Sequence, residues 1–412
     1  MKNTSFHTNI PTTDRWNHRK IFTGRSARVF ALMLLSTVIW MPPARSQSFQ
    51  ELINRIGSLP ESRRQAIADS FVNSVPSMPF LENDSAVHFI YNNPARSVAL
   101  SGDVTGYKPS QNLTCIQGTH LWYYTTFYPT DARLDYKFVT NGSDWILDPK
   151  NPLTCMSGFG PNSELRMPGY HPPPEIFFDS TIPHGTLIDT TCFSAGLGNT
   201  REVKIYLPAG YPQSGTSYPL VLFHDGTDYI SLCNARNILD YLIAKRLITT
   251  VIAVFVPPVD RTAEYSGDKI NLFTTFITHE LMPAIDARFH TSKDPSKRAM
   301  IGASNGGNIA LYISVKHPEV FGMAGAQSSN VIPAISQSLR NLPKLPLNFY
   351  LDLGTYDIEE LIPLVRNLKN ILESKNYPLE FHEWHEGHSW GNWMGHLRLP
   401  LIRFFPYITD SK

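Results

Sequence analysis

Apolar and polar positions change their spacing several times along the chain. Phe49, Leu52, Ile53 and Ile56 recur at helical intervals, Leu59-Pro60-Glu61-Ser62 breaks the pattern, and Ile67, Phe71 and Val72 resume it. Intervals of three and four residues put these side chains on one helix face, so two short helices are predicted, each needing a neighbour to dock on. From residue 84 to about 166 the period drops towards two. Val87-His88-Phe89-Ile90-Tyr91, residues 97–102, residues 121–127 and residues 134–139 read as strands, and Asn141-Gly142 turns a hairpin into Trp145-Ile146-Leu147. Strands at this spacing predict an all-β sandwich of immunoglobulin-like type. A proline-rich stretch, 167–176, then serves as a connector. Beyond it, short apolar runs at 203–207, 220–224, 251–256, 299–303, 322–327, 347–353 and 379–384 alternate with helical segments such as 271–288 and 359–373. That alternation predicts an α/β fold with a mainly parallel sheet covered on both faces. The resulting boundaries are 47–80 for the helical segment, 81–166 for the sandwich, 167–184 for the linker and 185–412 for the α/β domain.

One run carries chemistry. Gly302-Ala303-Ser304-Asn305-Gly306-Gly307 lies between an apolar strand and a helix-like run. G-x-S-x-G at a strand-to-helix junction makes a sharp turn that lifts the serine hydroxyl above the sheet, and its glycines leave room for neighbouring backbone. A serine hydroxyl needs a base, and the base needs an orienting acid. Both follow in the order Ser, acid, His. Asp357 stands just past the strand 347–353, where the acid belongs. His388 stands on the loop after the strand 379–384, behind Gly387. Asp352 lies within its strand, Glu359 and Glu360 suit the first turn of the next helix, His382 and His385 read as structural, and His396 falls in the closing helix, in packing or at the surface. For the oxyanion, one donor is the N–H of Asn305. The other is the N–H of Gly226 or Thr227, after the strand 219–224. Arg261, Glu264 and Tyr265 fall near the carboxyl edge of the sheet, either lining an acyl pocket or fixing their own loop by an ion pair. Asp228 and Trp390 complete the candidate substrate-binding set.

From about Gly185 to Phe405 the chain resembles an esterase family of α/β-hydrolases that includes enterochelin, feruloyl and acetylxylan esterases, S-formylglutathione hydrolase and mycolyltransferases. The resemblance is carried by Phe223-His224-Asp225-Gly226, Val256-Pro257-Pro258 with Arg261 and Glu264-Tyr265, Glu280-Leu281-Met282-Pro283, Arg298 through Gly307, Gly354-Thr355-Tyr356-Asp357, and Glu386-Gly387-His388 with Trp390 and Trp393. It implies ester hydrolysis by Ser304, Asp357 and His388, without cofactor or metal. The sandwich is similar to glycogen-binding-type carbohydrate modules and related early-set domains, on Gly102-Asp103, Tyr107 and Tyr136-Lys137-Phe138. Tyr107 stands where such modules often carry tryptophan. The aromatics Trp122, Tyr124 and Tyr128 are either sugar-stacking or core, and the domain either binds glycan or roofs the active site, folded back by its connector.

Charge narrows the partners. Of 36 Lys and Arg and 35 Asp and Glu, seven and one fall in residues 1–46, leaving 29 basic against 34 acidic. A mildly acidic remainder gives no electrostatic case for nucleic acid or an anionic membrane. The basic start reads as a signal peptide, either cleaved or retained as an anchor. Arg25 and Arg28 precede an apolar stretch, 29–40, too short for the ~20 residues of a membrane helix, and Ala44-Arg45-Ser46 offers cleavage before Gln47. Export, periplasmic or extracellular, permits disulfides. Cys115, Cys155, Cys192 and Cys233 pair within each half of the chain or stay as free thiols. The function predicted is an exported serine esterase acting on a feruloyl, acetyl-polysaccharide or catecholate siderophore ester. The alternatives are an acyltransferase on the same triad and a glycan-binding protein with a relic hydrolase domain.

Overall fold

The computed structural model describes residues 48–213 and 215–408. The signal-peptide reading falls on residues 1–46, outside them. Two helices come first, α1 (Phe49–Ser58) and α2 (Glu61–Ser74). Ser48 and Glu51 form a reciprocal capping box at the start of α1. Phe49, Leu52 and Ile56 of α1 pack with Ala68 of α2 against Ile90, Ile116 and Leu121 of the β segment.

That segment contains β1 (Phe80–Glu82), β2 (Ala86–Asn92), β3 (Val98–Gly102), β4 (Gln111–Asn112), β5 (Thr114–Cys115), β6 (Leu121–Phe127), β7 (Arg133–Thr140), β8 (Asp144–Ile146), β9 (Thr154–Ser157) and β10 (Gly160–Arg166). One sheet has the order β1-β2-β6-β5, and β7 carries β3, β8 and β10 in another. Val87 and Phe89 from the first meet Leu100, Leu134, Tyr136 and Phe138 from the second. Asn141 and Gly142 both adopt positive φ, 56° and 88°, at the β7–β8 turn. The β9–β10 hairpin lies outside the strands expected from sequence, because its polar residues and glycines carry no apolar alternation.

The α/β part contains β11 (Thr186–Ser194), β12 (Asn199–Leu207), β13 (Leu220–His224), β14 (Ile252–Val256), β15 (Arg298–Ala303), β16 (Met323–Gln327), β17 (Asn348–Tyr356) and β18 (Leu379–Gly387), in the order β11-β12-β14-β13-β15-β16-β17-β18. From β14 to β18 in that order the strands run parallel, and β11 and β12 are antiparallel additions. The helices are α3 (Gly226–Ser231), α4 (Ala235–Ala244), α5 (Arg261–Tyr265), α6 (Ile270–Thr275), α7 (Met282–Arg288), α8 (Asn305–Lys316), α9 (Pro333–Asn341), α10 (Leu361–Ser374), α11 (Trp390–His396) and α12 (Arg398–Phe404). The helix expected at 271–288 is divided by a π-helical turn, Phe276–Leu281. Leu220 and Leu222 of β13 enter one core with Ile309 and Leu311 of α8. Val221 and Phe223 enter the other with Leu239 of α4 and Leu401 of α12. Alternate side chains thus bury opposite faces of a doubly covered sheet.

The two sheets join. Glu386 at the end of β18 pairs in parallel with Arg133 at the start of β7, so the strand order continues β18-β7-β10-β9. The described residues cluster as one compact unit. The connector is not a free tether: Met167 and Gly169 donate backbone hydrogen bonds to Ala132 and Thr130, and Asn234 Nδ2 donates to the Ile176 carbonyl at 3.1 Å. All four cysteines are free thiols. No helix among the described residues is long and apolar enough to cross a membrane.

Candidate active site

Ser304 sits between β15 and α8 with φ 55° and ψ −124°, a backbone conformation that costs an L-residue on the order of 1–3 kcal/mol. The surroundings enforce it. A Cβ on Gly302 would collide with the Gly306 carbonyl, and one on Gly307 would stand 2.9 Å from Ser329. Ser304 N–H donates to the Gln327 carbonyl at 2.9 Å, tying the turn to β16. The serine side chain is half-buried at the sheet's carboxyl edge.

Asp357 and His388 come from the loops after β17 and β18. Their Oδ1 and Nδ1 stand 2.7 Å apart, with the aspartate side chain 1% exposed and the imidazole 16% exposed. Asp357 also accepts from the Ile358 N–H at 2.7 Å, which orients the carboxylate. Trp393 presents its ring edge-on to His388 at 5.0 Å between centroids. The bond at Nδ1 leaves Nε2 as the free face of the ring. Asp352 is turned inward instead, accepting from Tyr350 Oη at 2.9 Å, and burial pushes its carboxyl up to about 6. His382 and His385 pair with Glu380 and Asp131, and His396 pairs with Glu386 at 2.7 Å.

Two helix starts meet beside the serine. Asp225, at φ 53°, ends β13 and precedes α3, and a Cβ on Gly306 would stand 2.7 Å from Asp225 Oδ2. Gly226 and Thr227 open α3 and Asn305 opens α8, so their N–H groups have no carbonyl one turn back within their own helix. Arg261 holds Asp225 by a bidentate pair, Nε to Oδ1 at 2.8 Å and Nη2 to Oδ2 at 2.7 Å. It also reaches the Ala303 carbonyl at 3.4 Å.

The candidate substrate residues divide. Glu264 is locked to Arg201 by two 3.0 Å bonds, with both side chains 1% exposed. Tyr265 is fully buried, and its hydroxyl accepts from the Asp225 N–H at 3.0 Å. The acyl-pocket expectation is therefore corrected for both: they brace the loop from behind. Trp390 is packed between Tyr229 and Trp393 and is 8% exposed, so it is a wall of the core. Asp228 is half-buried, with burial and the neighbouring Asp225 charge raising its carboxyl.

Sequence reasoning missed Asp103 and Arg133. Both lie in the β segment, and both flank the His388 loop. A Cβ on Gly387 would collide with the Asp103 carboxyl, and Arg133 Nη1 donates to Ser389 Oγ at 3.1 Å. The available signal was the charged face of β7, where Arg133, Asp135 and Lys137 alternate with Leu134, Tyr136 and Phe138.

Residues 194–404 match the model of an esterase family described as "Putative esterase". The uncharacterized protein YjcH of Bacillus subtilis is 27% identical over 234 residues, 53% of this chain and 95% of its own length. The endo-1,4-beta-xylanase/feruloyl esterase of Xylanibacter ruminicola is 31% identical over 161 residues, 36% of this chain but only 22% of that protein. The enterobactin esterase of Shigella flexneri, crystallised in the presence of enterobactin, superposes with a TM-score of 0.68 at 22% identity. It covers 82% of this chain and 97% of its own. That share exceeds the family-matched span, so the common fold extends beyond residues 194–404.

Proposed function

The chain belongs to this esterase family and is an esterase, and from that premise we propose that it is an exported serine ester hydrolase acting through Ser304, His388 and Asp357. The observation that carries the reading is the strained Ser304 turn at the same sheet edge as a buried His388–Asp357 pair bonded at 2.7 Å. His388 Nε2 takes the Ser304 hydroxyl proton as Oγ bonds to the ester carbonyl carbon. The tetrahedral oxyanion is received by the N–H groups of Asn305 and of Gly226 or Thr227, two helix starts whose dipoles favour negative charge. His388 then gives its proton to the leaving alcohol as the carbon–oxygen bond breaks. Water repeats the sequence on the acyl-enzyme, and Asp357 stabilises the imidazolium in both halves.

The substrate we propose is an ester with an aromatic group on its acid side, either the acid itself, as in a feruloyl ester, or an N-linked hydroxybenzoyl group on a seryl acid, as in a catecholate siderophore. Support comes from the feruloyl esterase relative and from a fold shared with an enterobactin esterase over most of the chain. A turnover screen over catecholate siderophore, feruloyl and acetyl esters tests this. Preference for either ester with an aromatic group on its acid side supports the reading, and activity confined to acetyl esters removes it.

A further inference from the structure

We infer that the β segment supplies two positioning residues, Asp103 and Arg133, that set the loop carrying His388 from outside the α/β part. This rests on the reading of His388 as the base.

His388 is flanked by Gly387 and Ser389, and each neighbour meets a buried charged side chain from the β segment. On the Gly387 side, the Asp103 carboxyl occupies the space a side chain would fill. It is 4% exposed, and its Oδ2 accepts from the Asp135 N–H at 2.6 Å. Its Oδ1 lies against Gly387 with no hydrogen-bond partner among the described residues. On the other side, Arg133 donates to Ser389 Oγ, and its guanidinium leaves no room for a Cβ on Gly391. Ser389 also caps α11 by accepting from the Asn392 N–H at 3.5 Å.

The anchors are fixed in turn. Arg133 is 1% exposed and spends its other donors on Asp135 Oδ1 and Glu164 Oε1, each at 2.7 Å, with Glu386 Oε2 at 3.9 Å. A buried cation with several acids is no more stable than a packed apolar seam, but its bonds are directional. Here they run from a sheet strand to the residue next to the base. General-base catalysis depends on such placement, and a displacement of ~1 Å can cost on the order of a hundredfold.

The test uses the full chain and p-nitrophenyl acetate, with kcat expressed per titrated active site and folding checked by circular dichroism. Ser389→Ala and Arg133→Lys should each lower kcat on the order of tenfold or more with KM within about twofold. The double variant should lose less than the product of the two single losses, because the Arg133–Ser389 contact is common to both. Asp103→Ala, which empties the space beside Gly387, should lower kcat similarly, and Asp103→Asn, which keeps shape and acceptor, should restore it. Should Arg133→Lys fail to fold, Ser389→Ala and the Asp103 pair decide. Folded Ser389→Ala and Asp103→Ala with unchanged kcat, or losses that multiply in the double variant, overturn the inference. Retained turnover in Ser304→Ala or His388→Ala would instead remove the reading beneath it.

Discussion

Ser304→Ala should abolish turnover, a loss on the order of 10⁴–10⁶ in kcat. Its melting temperature should not fall, because the residue sits in a strained turn and its half-buried hydroxyl makes no hydrogen bond that the fold needs. Asp357→Asn should leave the fold intact and lower kcat by about 10⁴, since an amide can hold the wrong imidazole tautomer. Asp352→Asn, also on β17, should change kcat little; a comparable loss there would reassign the acid. His224 gives a pH prediction. Its ring is fully buried between Tyr265 and Phe273, both nitrogens lack partners among the described residues, and burial pushes it down to about 3. An unfolded histidine takes a proton near 6.5, so the unfolded state gains protons first as pH falls. Stability from this group is therefore present above pH 6.5 and lost progressively towards pH 3, on the order of 4–5 kcal/mol in full. His224→Phe should shrink the difference between urea midpoints at pH 7 and pH 4; an unchanged difference would place the acid sensitivity elsewhere.

Elements carry the residues to their places, and the sequence revealed them unevenly. β15, Ser304 and α8 were legible because an apolar run, a glycine-framed serine and a helical run each have local signatures. The same holds for Asp357 and His388, each at the end of an apolar strand. Glu264 and Tyr265 were ambiguous because a charged or hydroxylated residue on a loop reads alike whether it faces a cleft or braces the loop. Only the partners, Arg201 from β12 and the Asp225 N–H, separate the two, and both are distant in sequence. Arg261 joins the α5 loop to the start of α3 and to the carbonyl before Ser304. Arg261→Met should therefore lower kcat more than it raises KM on a small ester, by loosening the Gly226–Thr227 donors. A pure KM effect would assign Arg261 to substrate binding. Gly302→Ala places a Cβ against the Gly306 carbonyl and should destabilise the fold by about 3 kcal/mol, measured by urea unfolding.

At the scale of the molecule, the β segment and the α/β part share one sheet path and a charged seam, which sequence alone does not disclose. Alternation reports which face of a strand is buried, not which strand lies beside it. A β segment that only roofs the active site would leave a chain starting near Gly185 active on small esters. The seam leads to the opposite expectation. Such a truncation removes Arg133 and Asp103 from both sides of His388 and exposes Glu386 and the β18 edge, so turnover of p-nitrophenyl acetate should fall steeply. Full small-ester activity in a soluble truncation would show that the α/β part sets its own base. Beneath this organisation lies the claim that Ser304 forms an acyl-enzyme with His388 as its base. Mass spectrometry after reaction with a p-nitrophenyl phosphonate tests that most directly. The account predicts one adduct per chain, on the peptide containing Ser304, formed orders of magnitude more slowly in His388→Ala. Complete inactivation with the adduct on another residue would contradict it.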